Sequence, residues 1–175
     1  MARTLWRVRA ATADDIEACV DIVEETAAEG LWLGAEAPID RAERAERLRA
    51  ALDNERGAVL VAEAPDGEIA GHLGLELTPY SVAHFGMCVG RAWRGRRAGS
   101  ALVEEAVVQA RRLGAHKISI QVWPHNQAAL GLYTKAGFMR EGRLRRHYPR
   151  RTGELWDAVI MGLVLDEERP GSPHP

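Results

Sequence analysis

The chain has 175 residues, 46% of them hydrophobic, with 23 basic against 25 acidic residues and a net charge of −2. That length suits one domain that can bury a core without disulfides or metal, and the near-neutral balance argues against a general nucleic-acid binder, which is basic overall. No apolar run approaches the ~20 residues that span a bilayer, the amino-terminal MARTLWRVRA has no apolar signal-peptide core, and Cys19 and Cys88 sit in apolar settings that read as buried thiols of a reducing, cytoplasmic compartment.

In chain order, Leu5 to Arg9 alternates as a short strand. Thr12 and Asp15 form a capping box, and Ile16, Cys19, Val20, Val23 and Ala27 follow at helical spacing until Gly30 stops the helix. Leu31 to Pro38 reads as a loop, with Trp32 inside it as either a packing residue or a platform for a ligand. Asp40 and Glu43 start a second helix with Ala45, Leu48 and Leu52 on its apolar stripe. From Gly57 the period becomes strand-like: Ala58 to Ala62, a Pro65-Asp66-Gly67 turn, then Ile69 to Leu77 with His72, Gly74 and Glu76 on the polar side. After Pro79-Tyr80-Ser81 comes the strand Val82 to Val89. A Gly- and Arg-rich loop, Gly90 to Gly99, leads into a third helix through Leu102, Val103, Ala106, Ala110 and Leu113, ended by Gly114. Ile118, Ile120 and Val122 alternate in a strand, a fourth helix runs from about Asn126 to Ala136, and two last strands are expected near Phe138 to Arg145 and Leu155 to Leu165. This predicts one α/β (mixed α+β) domain over residues 1–165, with four helices covering a mixed sheet, and a disordered tail over 166–175.

The segment Val89-Gly90-Arg91-Ala92-Trp93-Arg94-Gly95-Arg96-Arg97-Ala98-Gly99-Ser100 joins a strand to a helix. A helix amino terminus offers free N–H groups and a positive dipole end, glycines allow close backbone approach, and the arginines add charge, so the chemistry that suits it is a phosphate or diphosphate. Composition alone allows a solvated basic turn equally well. The Gly-Lys-Ser/Thr ending of a P-loop and the GxGxxG of a dinucleotide site are both missing from it.

At these residues the sequence resembles the GNAT superfamily of N-acetyltransferases, whose central motif (Gln/Arg)-x-x-Gly-x-(Gly/Ala) follows a strand ending in Val. Arg94 and Gly99 match its ends, while Arg97 stands where the first glycine is usual. Asn126-Gln-Ala-Ala-Leu-Gly-Leu-Tyr133-Thr-Lys-Ala-Gly-Phe138 resembles the second motif. The resemblance implies a GNAT fold with a partly splayed sheet of six or seven strands, and acetyl-CoA as co-substrate without a metal. It implies a cofactor site at Met87, Cys88, Val89, Arg94, Gly95, Arg96, Arg97, Ala98, Gly99, Ser100, Asn126, Ala129 and Tyr133. Tyr133 would protonate the departing thiolate, a backbone N–H at the end of the Val82–Val89 strand would polarise the thioester carbonyl, and His84 or Glu76 would take the amine's proton. The acceptor would be a small-molecule amine or a peptide amino terminus; a catalytically weak CoA-binding module is the alternative on the same fold. Arg140, Arg143, Arg145, Arg146, Arg150 and Arg151 read as a solvated strand and loop rather than a nucleic-acid patch. The resemblance also allows a homodimer through the last strands, where Trp156, Ile160 and Val164 share a face that otherwise packs on the domain's own helices.

Overall fold

Alternation and helical periodicity resolve into thirteen short elements in the computed structural model, which describes residues 6–165. The strands are β1 (Arg7–Ala10), β2 (Gly57–Glu63), β3 (Ile69–Leu77), β4 (Val82–Val89), β5 (Lys117–Val122), β6 (Met139–Pro149) and β7 (Leu155–Val164). They form one sheet in the order β1-β2-β3-β4-β5-β7-β6. Every neighbouring pair is antiparallel except β4 and β5, which run parallel. A parallel pair needs a crossover, and here it is helix α3 (Ala98–Arg112). Helices α1 (Ile16–Ala28) and α2 (Arg41–Leu52) precede β2, and α4 (Gln127–Lys135) lies between β5 and β6.

The capping box at Thr12 holds: its N–H donates to Asp15 Oδ2 at 2.7 Å, and a single 3-10 turn over Ala13–Asp15 leads into α1. Arg9 grips the same carboxylate with both Nη atoms at 2.7 and 2.8 Å, which holds Asp15 down at about 2. One sheet face carries Leu60, Ala62, Leu73, Leu75, Ala83, Ile118 and Ile120, packed on Leu102, Val103, Ala106 and Ala110 of α3 and on Tyr133 of α4. Each fully buried Leu or Val there contributes roughly 1.5–3 kcal/mol of transfer free energy. The opposite face is covered at its β2–β3 side by α1 and α2, where Ile16, Val20 and Ala45 meet.

The structure departs from the sequence expectations in two places, at His72 and at the sixth strand. Leu5, expected to open the first strand, and the tail 166–175 lie outside the described residues. His72, on the polar side of β3, is buried because α1 and α2 roof that stretch of sheet; alternation reports the chemistry of a face and not what covers it. The sixth strand runs on to Pro149, four residues past the expected end, and Arg150 beyond it is buried rather than solvated. No helix among the described residues is long and apolar enough to cross a membrane.

Candidate functional site

The sheet is nearly cut in two at the one parallel seam among the described residues. β4 and β5 pair through Val82↔Lys117 and Ala83↔Ile118 and then separate. Peptide groups alternate sides along a strand. Thr78 N–H donates to Val82 O and Gly90 N–H donates to Ala70 O, both toward β3, so the even positions of β4 face β3. The odd ones, Phe85, Met87 and Val89, therefore aim their N–H groups into the opening. Cys88, included with them from sequence, turns its peptide toward β3 instead. Its thiol points at α1, 3.1 Å from Thr26 Oγ1 and 3.6 Å from Ile22 O, and burial pushes it up, away from a reactive thiolate.

His84 spans the seam. Its Nδ1 lies 2.7 Å from Ser119 O on β5. A carbonyl only accepts, so Nδ1 is a donor here, and the tautomer this contact selects has its lone pair on Nε2. Glu76 stands directly across on β3, and both side chains are exposed on the face that α1 and α2 partly cover. The two sequence-derived base candidates are thus neighbours at the mouth of the opening.

The loop after β4 begins with a 3-10 turn over Arg91–Trp93. The Arg94 side chain then turns to α1. Its Nη atoms reach Glu29 at 2.6 and 2.8 Å, its Nε donates to Val89 O at 3.1 Å, and the ion pair holds the Glu29 carboxyl below its ordinary range. Gly95 (φ 73°) and Arg97 (φ 71°) are both left-handed. The position where glycine is usual therefore does require the glycine conformation, and Arg97 adopts it at a cost of about 1–2 kcal/mol. The reward is local: among the described residues no protein acceptor takes the N–H groups of Gly95, Arg96, Arg97, Ala98, Gly99 or Ser100. They line the amino terminus of α3 as an unclaimed row of donors. Trp6 Nε1 donates to Arg96 O at 2.7 Å and fixes the row from outside. A Cβ on Gly99 would sit 3.3 Å from Leu132 and 3.4 Å from Met87, so a small residue lets α3 approach β4.

On the far side of the opening, Asn126 caps α4, its Oδ1 accepting from Ala129 N–H at 3.1 Å. Tyr133 is 7% exposed, its ring 5.8 Å from Phe85 and 5.6 Å from Phe138. Burial pushes the phenol above its ordinary range, so it stays protonated, and its hydroxyl bonds to none of the described residues.

Sequence reasoning missed the wall opposite. Arg150 has a side chain 3% exposed, its guanidinium 4.3 Å above the Trp156 ring, Nη1 on Leu33 O and Gly34 O at 3.2 and 3.1 Å, and Nε 3.0 Å from Glu36 Oε1 without hydrogen-bond alignment. Trp123, His125, Tyr148 and Trp156 pack edge to face around it, and Trp32 joins through His125 at 6.1 Å. This cluster fastens the Leu31–Pro38 loop to the β6–β7 turn. Trp156 accordingly packs on the domain's own Trp123, His125 and Arg150. A Trp-rich sequence with one arginine among many gave no local sign of it.

The Acetyltransferase (GNAT) family model matches residues 19–138. The chain is 35% identical to the L-amino acid N-acetyltransferase AaaT of Escherichia coli (strain K12) over 104 residues, 57% of this chain and 64% of that protein. It is 29% identical over 164 residues to YwnH of Bacillus subtilis (strain 168), named provisionally as a phosphinothricin acetyltransferase, covering 90% of this chain and 98% of that one. A GNAT superfamily phosphinothricin acetyltransferase from Sinorhizobium meliloti, solved in complex with AcCoA, shares the fold at a TM-score of 0.84 with 21% identity, over 97% of this chain and 93% of that one.

Proposed function

Because the chain belongs to the GNAT family of acetyl-CoA-dependent acyltransferases, we propose that it moves an acetyl group directly from acetyl-CoA to the primary amine of a small molecule or peptide. The single observation that carries the site is the seam. Beyond Ala83, β4 has no partner on its β5 side, which supports an acyl thioester entering between the strands with its carbonyl on the Met87 or Val89 N–H. The row of free donors from Gly95 to Ser100 fits a diphosphate, with Arg96 and Arg97 adding charge and Arg94 bracing the loop on α1. Asn126 and Ala129 flank the arm of the co-substrate at the start of α4.

The amine must be neutral to attack. His84 Nε2 is the base in this reading, with Glu76 beside it to balance the imidazolium that forms. Tyr133 is the acid. A protonated, buried phenol next to Phe85 has a proton to give to a departing thiolate and no ionised form to cost stability at rest. Cys88 takes no part, which makes the transfer direct rather than ping-pong.

The acceptor enters from the face of α1, α2 and the Leu31–Pro38 loop. The relatives that act on amino acids and related small amines support a small α-amino compound as the first class to assay. Thermal shift with acetyl-CoA, CoA and ATP tests the co-substrate, since a ligand of the folded state raises its stability by mass action. CoA release across amines, amino acids and peptides tests transfer. Stabilisation by acetyl-CoA with turnover is expected. No response to acetyl-CoA overturns the reading, and binding without turnover on any amine reduces the protein to a CoA-binding module.

A further inference from the structure

Glycine inside a strand weakens it and earns its place by a bulge, a tight packing contact or the approach of a ligand. The strand glycines here separate on that basis. A Cβ on Gly57 or Gly71 would lie 2.7 Å from a backbone carbonyl, of Leu75 or Cys88, and one on Gly162 would collide with the Glu141 carboxylate. On Gly142 it would meet Ile160 at 3.7 Å. Gly74 and Gly86 are different. Neither has positive φ, and a Cβ on either would have nothing within 4 Å. Nothing in the fold requires them to be glycine.

The two face each other across β3 and β4 in register, on the same sheet face as the Glu76–His84 pair on one side and the His72–Cys88 pair on the other. Val59, buried beneath the helices, is the next residue in line, paired with Gly74. A bare trough therefore runs across two strands, from the seam beside the Phe85 and Met87 N–H groups to a closed end at Val59. Two strand spacings make it about 10 Å long.

Resting on the acetyl-transfer reading, we propose that this trough receives the acceptor's side chain, with the amine at the seam beside His84, and that Gly74 and Gly86 set the length of side chain accepted. The class is a primary amine bearing an unbranched, largely apolar side chain of about four or five heavy atoms: contact with the Val59 side chain takes about 4 Å of the trough, and the ~6 Å that remain are the reach of such a chain. The floor offers only backbone and no cation, so it does not select an acidic side chain.

The test uses Gly74→Ala and Gly86→Ala in the full chain. The probes are two ladders of acceptors, n-alkylamines and L-α-amino acids from alanine to methionine, assayed by CoA release. A methyl on the floor should lower kcat/KM for the longest members about tenfold or more relative to the shortest, since one methylene changes discrimination by about 10–200-fold. The KM for acetyl-CoA should hold, and the melting temperature should hold or rise because a strand glycine has been replaced. An unchanged long-to-short ratio in both folded variants overturns the inference while leaving transfer intact. A wild type that releases no CoA with any member overturns the transfer reading, and this inference with it.

Discussion

Lowering the pH through the range of histidine should destabilise this protein by way of His72. The side chain lies under α1 and α2, 8% exposed, its Nδ1 bonded to no protein group, and burial together with the Arg44 charge lowers it from 6.5 to about 4. The folded value lies below the unfolded one, so the unfolded chain takes up the proton first. Stability is complete above about pH 6.5 and is lost as pH falls toward 4. The whole shift corresponds to about 3 kcal/mol, and roughly 2.5 kcal/mol of it is gone by pH ~4.5. That is a large share of the ~5–15 kcal/mol that holds a domain folded. Asp15 does not blur the measurement, because its own window, from 3.8 down to about 2, lies lower. The assay is urea unfolding of the wild type and His72→Asn at about pH 7, 5.5 and 4.5. The wild type should lose the calculated stability between the first and last, and the variant should lose clearly less. Equal losses in the two proteins would refute the reasoning.

The other predictions concern the site. Tyr133→Phe keeps the ring against Phe85 and Phe138 and removes the proton donor, so single-turnover transfer should fall by ~10²–10⁴-fold with acetyl-CoA affinity little changed; an unchanged single-turnover rate removes Tyr133 from the chemistry. Arg97→Gly relieves a left-handed arginine and should raise stability by up to about 1 kcal/mol in thermal unfolding, while its lost charge weakens CoA binding by no more than a few fold, since the backbone donors remain. A loss of binding beyond tenfold would show that the side chain and not the peptide holds the phosphates. Arg150→Met leaves Glu36 without its cation and two loop carbonyls without a donor, so we expect a loss of about 3 kcal/mol in chemical denaturation and faster proteolysis within residues 31–38; wild-type values for both would show that the loop is held by its own packing.

What could be read from the sequence was local. The stretch from Asn126 to Phe138 carries its cap, its helical stripe and its glycine stop within thirteen consecutive residues, and the order of strands and helices followed from changes of period. The free donors at Gly95 to Ser100 were legible because glycines and a helix start are themselves local. What stayed hidden depends on partners far along the chain. Nothing near Arg94 in the chain announces the ion pair its side chain makes with Glu29, 65 residues away. Arg150 reads as one solvated arginine of six until it meets Leu33 and Gly34 across more than a hundred residues. His72 looked solvent-facing because two helices from another part of the chain roof it. The seam itself has no signature in β4 or β5, since either strand would pair along its whole length if the other continued beside it.

The same seam has a consequence for how the molecule holds together mechanically. The strands before Gly90 form the four-strand side of the sheet, and the strands after Gly114 form the three-strand side. α3 packs on the strands of the first side, so the backbone passes from one side to the other once, at the Gly114 turn. Two paired positions and the His84 imidazole are what bridge the strands. The cleft is therefore a joint between two independently paired half-sheets. Its two walls are tied behind it by the core they share over α3 and α4 and by the grip of Arg150 on Leu33 and Gly34, so a substitution in either tie reaches the cleft from outside it.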